Sequence, residues 1–184
     1  MRFNDEELMV LFASGTKEAF DMLYERHRHG LYRFARSCLK CSADAEDVVQ
    51  DVFIRVSQAA ARYHPRGRFK SWLYQIAVNR IRTRVALNKR GLELQDSGPS
   101  AAQRPTSGSV EHSIILHDLL HKSMLLLSEN QKMILFLKEV EGMKYEQIGR
   151  TLDLTPENVR VLIHRARKQI SSFIHQEQGD NQHV

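Results

Sequence analysis

No run of about eighteen apolar residues occurs in this 184-residue chain, and clusters such as Met124–Leu127 are far too short to span a bilayer. Its first ten residues, MRFNDEELMV, carry three acidic side chains where a secretory signal needs a basic and then an apolar run, so the chain is expected in the cytoplasm. Cysteine is scarce. The two present, Cys38 and Cys41, form one C-x-x-C, with His27 and His29 upstream. A structural zinc site wants four ligands at defined spacing and no second C-x-x-C exists, so these are read as reduced cysteines near a helix end, Cys38 packed and Cys41 partly exposed, and no metal or cofactor is expected. There is no glycine-rich phosphate loop, and the histidines are scattered, which leaves catalysis without a constellation to carry it. Alternating strand patterns and internal repeats are also missing, which points to an all-α fold.

What is present is positive charge, unevenly placed. The formal net charge is +5 and the sequence pI is about 9.4, which favours a polyanionic partner. In TLDLTPENVRVLIHRARKQI (151–170), Thr155 is a good N-cap and Pro156 sacrifices only an N–H that would be unpaired at a first helical position. Val159, Leu162, Ile163, Ala166 and Ile170 then form one apolar stripe, and Arg160, His164, Arg165, Arg167 and Lys168 fall largely outside it. Tyr145, Ile148 and Leu152 mark a shorter helix just before. Joined so tightly, the two must cross steeply, with Gly149 at the meeting point. This is the buried pattern of a DNA-binding helix-turn-helix with 156–168 as recognition helix, although Asp153 stands where the turn often has glycine.

The chain divides in two. Residues 8–87 read as helical, while GLELQDSGPSAAQRPTSGSV (91–110) has glycine, proline and small polar residues without a helical period and reads as a linker. Within the first half Asp44, Asp47 and Asp51 line one side of a helix whose other side is Val48, Val49, Val52, Phe53 and Val56. Between Asp51 and Glu93 no acidic residue occurs, yet ten basic ones do: Arg55, Arg62, Arg66, Arg68, Lys70, Arg80, Arg82, Arg84, Lys89 and Arg90. Tyr63, Phe69, Trp72 and Tyr74 are interleaved with them. Cationic and planar groups together suit single-stranded nucleic acid, where phosphates are neutralised and bases stack; Trp72 and Tyr74 also fit core packing with Leu73, Ile76 and Ala77. From the residues alone a two-domain transcriptional regulator stays open, but it would need a ligand pocket or phosphoacceptor in the first half, and the one-sign stretch argues against such a domain.

DAEDVVQDVFIRV (44–56), FKSWLYQIAVNRIRTRV (69–85) and the segment 124–170 together resemble the group IV, or extracytoplasmic-function, sigma factors of bacterial RNA polymerase. The resemblance implies two small helical domains, a region 2 domain over 1–90 and a region 4 domain over 113–176, with a linker at 91–112 and a tail at 177–184. It implies core RNA polymerase and promoter DNA as partners, an anti-sigma factor as inhibitor, and no chemistry of the chain's own. By position, Asp47, Gln50 and Asp51 match the acidic helix that contacts the polymerase clamp. Arg66, Phe69, Lys70, Trp72, Asn79, Arg80, Arg82 and Thr83 fall in the loop and helix that resemble the minus-ten reader. Arg160, Val161, His164, Arg165 and Lys168 resemble base-edge or phosphate contacts to the minus-thirty-five element. Leu162 departs from the basic residue many members have there.

Overall fold

A computed structural model describes residues 3–94 and 122–180. The linker beyond residue 94, the start of the second domain through residue 121 and the tail from residue 181 lie outside the described residues. Those described are helical, with no strand among them. Nor is any helix among them long and apolar enough to cross a membrane.

Four helices build the N-terminal half: α1 (Asp5–Ala13), α2 (Lys17–Cys38), α3 (Ser42–Ala59), which runs into a short 3-10 turn (Ala60–Arg62), and α4 (Phe69–Leu94). A reciprocal cap starts α1: the Glu7 amide donates to Asn4 Oδ1 (2.9 Å) and the Asn4 amide to Glu7 Oε2 (2.8 Å). Asp5 then ties α1 to α2, accepting from Arg26 at 2.5 Å and lying 2.9 Å from His27 Nε2. Burial pushes the Asp5 carboxyl up, but the hydrogen bonds and charges of His27 and Arg26 outweigh it and hold it below its ordinary value. On α3 the buried set is Ala45, Val48, Val49, Val52, Phe53 and Val56, a spacing of three and four that makes one face. Leu73, Tyr74, Ala77, Val78 and Ile81 do the same on α4.

In the C-terminal half, α5 (Glu129–Leu135) starts at a Ser128–Gln131 capping box and widens into a π turn over Phe136–Val140. Then come α6 (Tyr145–Leu152) and α7 (Pro156–Asp180), the latter running past residue 176, where the resemblance sets the end of the second domain. The core does not stop at the linker. Phe34 of α2 meets Tyr74 of α4 and Phe136 of the π turn, both at 5.3 Å between ring centroids, so one aromatic cluster joins the halves. Burying a side chain of that size stabilises by about 1.5–3 kcal/mol. Lys70 Nζ reaches both Glu141 Oε2 (2.9 Å) and the Glu141 carbonyl (2.8 Å), and Thr151 Oγ1 lies 3.3 Å from the Ser71 carbonyl. At Gly30, α2 passes so near this junction that a Cβ would stand 2.9 Å from the Tyr74 hydroxyl and 3.2 Å from Glu141 Oε1.

Candidate nucleic-acid interface

The acidic stripe on α3 and the cationic stretch on α4, separate in the sequence, lie side by side. Arg84 Nη2 pairs with Asp47 (2.6 Å) and its Nη1 with Asp44 (3.5 Å), Asn88 donates to Asp44 (2.8 Å), and Arg80 Nη1 stands 4.0 Å from Asp51. Rising numbers on α4 meet falling numbers on α3, so the helices are antiparallel and the pairs form a ladder. Asp47 and Asp51 still show 55% and 53% of their side chains to solvent, which leaves both able to meet a second basic group. Pairs this exposed are worth about 0–1 kcal/mol each. Gln50 is exposed beside them, near Tyr24, Arg28, Tyr32 and Glu46.

Continuing the seam between α3 and α4 beyond the ladder, toward the start of α4, runs a groove of about 420 Å³, lined by Arg55, Gln58, Arg62, Trp72, Ile76, Asn79 and Arg80. A second of about 360 Å³ lies under the loop before α4, between Arg62, Tyr63, His64, Arg66, Arg68 and Trp72. The half-buried indole of Trp72 is a wall of both. Arg80 is the junction between groove and ladder: its Nε is the one buried side-chain nitrogen or oxygen among the described residues without a hydrogen-bond partner. Of the eight residues that resemble the minus-ten reader, Arg66, Trp72, Asn79 and Arg80 therefore line these grooves. Phe69 does not; it is 2% exposed and packs with His27, Tyr63 and Trp72, forming the floor beneath the loop. Lys70 faces Glu141 of the C-terminal half. Arg82 and Thr83 are exposed further along, Arg82 reaching Asn130 at 3.5 Å and Thr83 donating back to the Asn79 carbonyl at 2.9 Å. Tyr74 is core, with burial foremost and then the charge and hydrogen bond of Glu141 pushing its phenol well up.

Arg55 and Arg62 belong to the cationic stretch but not to the positions that resemble the minus-ten reader, and Gln58 carries no signal in the sequence. Their helical positions relative to Trp72 depend on how α3 crosses α4, which a one-dimensional pattern does not contain. Glu6, equally unmarked in the sequence, holds the loop. Glu6 Oε1 accepts from the amides of Arg68 (2.7 Å) and Phe69 (2.8 Å), and Oε2 accepts from the Tyr63 hydroxyl (2.7 Å).

In the C-terminal half the turn between α6 and α7 is built as a helix-turn-helix requires. Asp153 takes the left-handed conformation (φ 61°, ψ 50°), and the Leu154 amide donates to the Gly149 carbonyl at 2.8 Å. A Cβ on Gly149 would sit 2.5 Å from the Leu154 carbonyl oxygen, so only glycine fits. The Thr155 hydroxyl accepts from the Asn158 amide at 3.2 Å, which caps α7. Ile148 and Leu152 bury against Val159, Ile163 and Ala166, while Arg160, Val161, His164, Arg165 and Lys168 all stand exposed on the other side of α7. Arg160 lies over the Tyr145 ring at 5.7 Å, and Lys138 approaches the same ring at 4.9 Å. Cys38 packs against the core and burial pushes its thiol up to about 11; Cys41 is exposed.

Two family models match the chain, one in each half. Residues 23–91 match the family described as Sigma-70 region 2, and residues 117–170 match Sigma-70, region 4. The ECF RNA polymerase sigma factor SigE of Mycolicibacterium smegmatis is 31% identical over 90% of this chain, which spans 66% of that relative's length. The ECF RNA polymerase sigma-E factor of Escherichia coli K12 is 27% identical, covering 94% of this chain and 95% of its own. Among solved structures, CnrH in complex with the cytosolic domain of CnrY superposes with a TM-score of 0.69 and 25% identity, covering 94% of this chain and 97% of CnrH. With both sigma-70 regions matched in order around a helix-turn-helix and an acidic–cationic helix pair, the chain belongs to the sigma-70 family, among its extracytoplasmic-function RNA polymerase sigma factors.

Proposed function

We propose that this chain is a promoter-specificity subunit acting in the cytoplasm: it binds core RNA polymerase through the exposed edge of α3, captures the opened minus-ten strand along α4, and reads the minus-thirty-five element as duplex with α7. The observation that carries the reading is the Trp72 groove, which the indole lines together with Arg55, Arg62, Asn79 and Arg80. An unpaired base can stack there while its phosphates meet guanidinium groups. Duplex DNA cannot present a base face in this way, so the groove selects the strand after it has parted. Capture offsets the stacking lost on opening, and no nucleotide hydrolysis is required. Asp47, Gln50 and Asp51 offer a basic partner a polar edge with two half-exposed carboxylates. CnrH, which shares the fold along nearly its whole length, holds the cytosolic domain of another protein. An inhibitory protein partner of that kind, an anti-sigma factor that keeps the factor from polymerase, completes the reading.

The test is run-off transcription with purified core polymerase and permanganate footprinting of the minus-ten region. Trp72→Ala and Asn79→Ala should leave polymerase binding unaltered and reduce thymine reactivity in the opened strand, and a pre-melted template should restore part of the lost activity. Equal impairment on duplex and pre-melted templates, with duplex binding reduced as well, would place these residues at a different step.

A further inference from the structure

We propose that Glu6, on α1, is a positioning residue for strand capture, fixing the 63–69 loop, which shares Trp72 with the groove, in the shape that receives an unpaired base; this rests on the reading just given of the Trp72 groove. The sequence before α4 supplies no cap of its own. Arg68 holds the N-cap position, its carbonyl accepting from the Trp72 amide at 3.0 Å, and a guanidinium cannot accept a hydrogen bond. Gly67 before it has a φ of +63° and no side chain, and Arg66 is again a cation. The first turn of this 26-residue helix also lacks an acidic residue. Its free amides and its positive dipole end are met from a distant helix, by a carboxylate more than fifty positions upstream.

Both Glu6 oxygens are used, and their three donors bracket the loop. Oε1 fixes its end at Arg68 and Phe69, and Oε2 fixes its start at Tyr63. Burial, with the hydrogen bond to Glu6 next, pushes the Tyr63 phenol well up, so it stays a donor. The Tyr63 ring lies 5.1 Å from that of Trp72 and 6.1 Å from that of Phe69. The grip therefore extends to the indole that walls both grooves. Glu6 is itself held on a fixed element: Leu8 and Met9 are fully buried, Asn4 and Glu7 cap each other, and Asp5 is tied to Arg26 and His27. Arg62, His64, Arg66, Arg68, the half-buried Trp72 indole and the loop backbone remain to meet nucleic acid. A site arranged before its ligand arrives does not lose ordering entropy on capture.

The experiment compares Glu6→Ala and Glu6→Gln in the full chain, assembled with core polymerase on promoter duplex, with Trp72→Ala as reference. Glutamine keeps an oxygen for the Arg68 and Phe69 amides and turns its amide toward Tyr63, whose hydroxyl can accept. Glu6→Ala should speed amide hydrogen exchange at Arg68 and Phe69 by about tenfold and lower open-complex formation by about ten- to a hundredfold, at unchanged core binding. Glu6→Gln should recover most of the opening. If Trp72→Ala loses opening and Glu6→Ala does not, the proposal is overturned while the reading of the groove stands. If Glu6→Ala and Glu6→Gln fail alike, or Glu6→Ala loses core binding in step with opening, Glu6 is a fold-stabilising cap and the proposal is likewise overturned. No effect of Trp72→Ala or of Arg66→Ala on opening would instead remove the reading on which it stands.

Discussion

Arg160 and Lys168 are two turns apart on the exposed side of α7, and their surroundings differ. Arg160 lies near the start of the helix, the part of a recognition helix that reaches base edges, with its guanidinium poised over Tyr145. Lys168 lies two turns further on, near Arg165 and Gln169. A bidentate contact from Arg160 to a guanine predicts that Arg160→Ala loses about 1–3 kcal/mol on the preferred promoter and relaxes choice at one base pair. Lys168→Ala should weaken binding to every sequence alike and lower the salt slope by about one. A promoter-variant library read at two salt concentrations checks both. Equal losses across all variants for Arg160→Ala would move base reading to Val161, His164 or Arg165. Because that variant also gives up the Tyr145 contact, its melting temperature is the control for a loss of fold.

At the scale of elements, the turn from α6 to α7 is fixed by a backbone contact that leaves no room for a side chain at Gly149. Gly149→Ala forces a Cβ into the Leu154 carbonyl, a backbone atom that cannot swing away, so the variant should lose about 1–3 kcal/mol of stability and duplex binding with it. Asp153→Gly should do the reverse, relieving a left-handed backbone that costs a side chain about 1 kcal/mol. Thermal melts of the two variants check the pair, and a neutral Gly149→Ala would show that the turn can re-form. This join was legible from sequence because each signal is local: Thr155, Pro156, Gly149 and the apolar spacing all act within a few residues. Both faces of α3 were legible for the same reason, since a helical period states which residues share a side. Which element lies against which side was not. The pairing of Asp47 with Arg84, the sinking of Phe69 into the core and the reach of Glu6 to the Arg68 amide each depend on a crossing between helices far apart in the chain. A cap supplied from another helix leaves no mark near the end it caps, and an aromatic residue among cations reads as surface until its neighbours are known.

For the whole molecule, Glu141 is the residue on which the contact between the halves turns. It meets the Lys70 ammonium, adjoins the buried Tyr74 phenol and lies near Gly30, so α2, α4 and the C-terminal half converge there. Glu141→Ala leaves Tyr74 buried without that partner and should lose about 1–3 kcal/mol. It should also loosen the junction, which small-angle scattering would register as a larger radius of gyration. An unchanged melt and an unchanged radius would mean that the remaining contacts, Phe34 with Phe136 and Thr151 with Ser71 among them, hold the halves without Glu141.

The ladder between α3 and α4 bears on how this chain responds to salt. When an arginine binds DNA phosphate, a condensed cation is ordinarily released, and the number released sets how steeply affinity falls with ionic strength. Arg80 and Arg84 are not bare cations awaiting a phosphate; they stand against Asp51, Asp47 and Asp44. An arginine that turns from its carboxylate to a phosphate leaves an aspartate that gathers a dissolved cation in return, and the two ion exchanges cancel. Strand capture along α4 should therefore depend on salt less steeply than its count of arginines suggests, and the dependence should steepen once a basic partner has taken those aspartates.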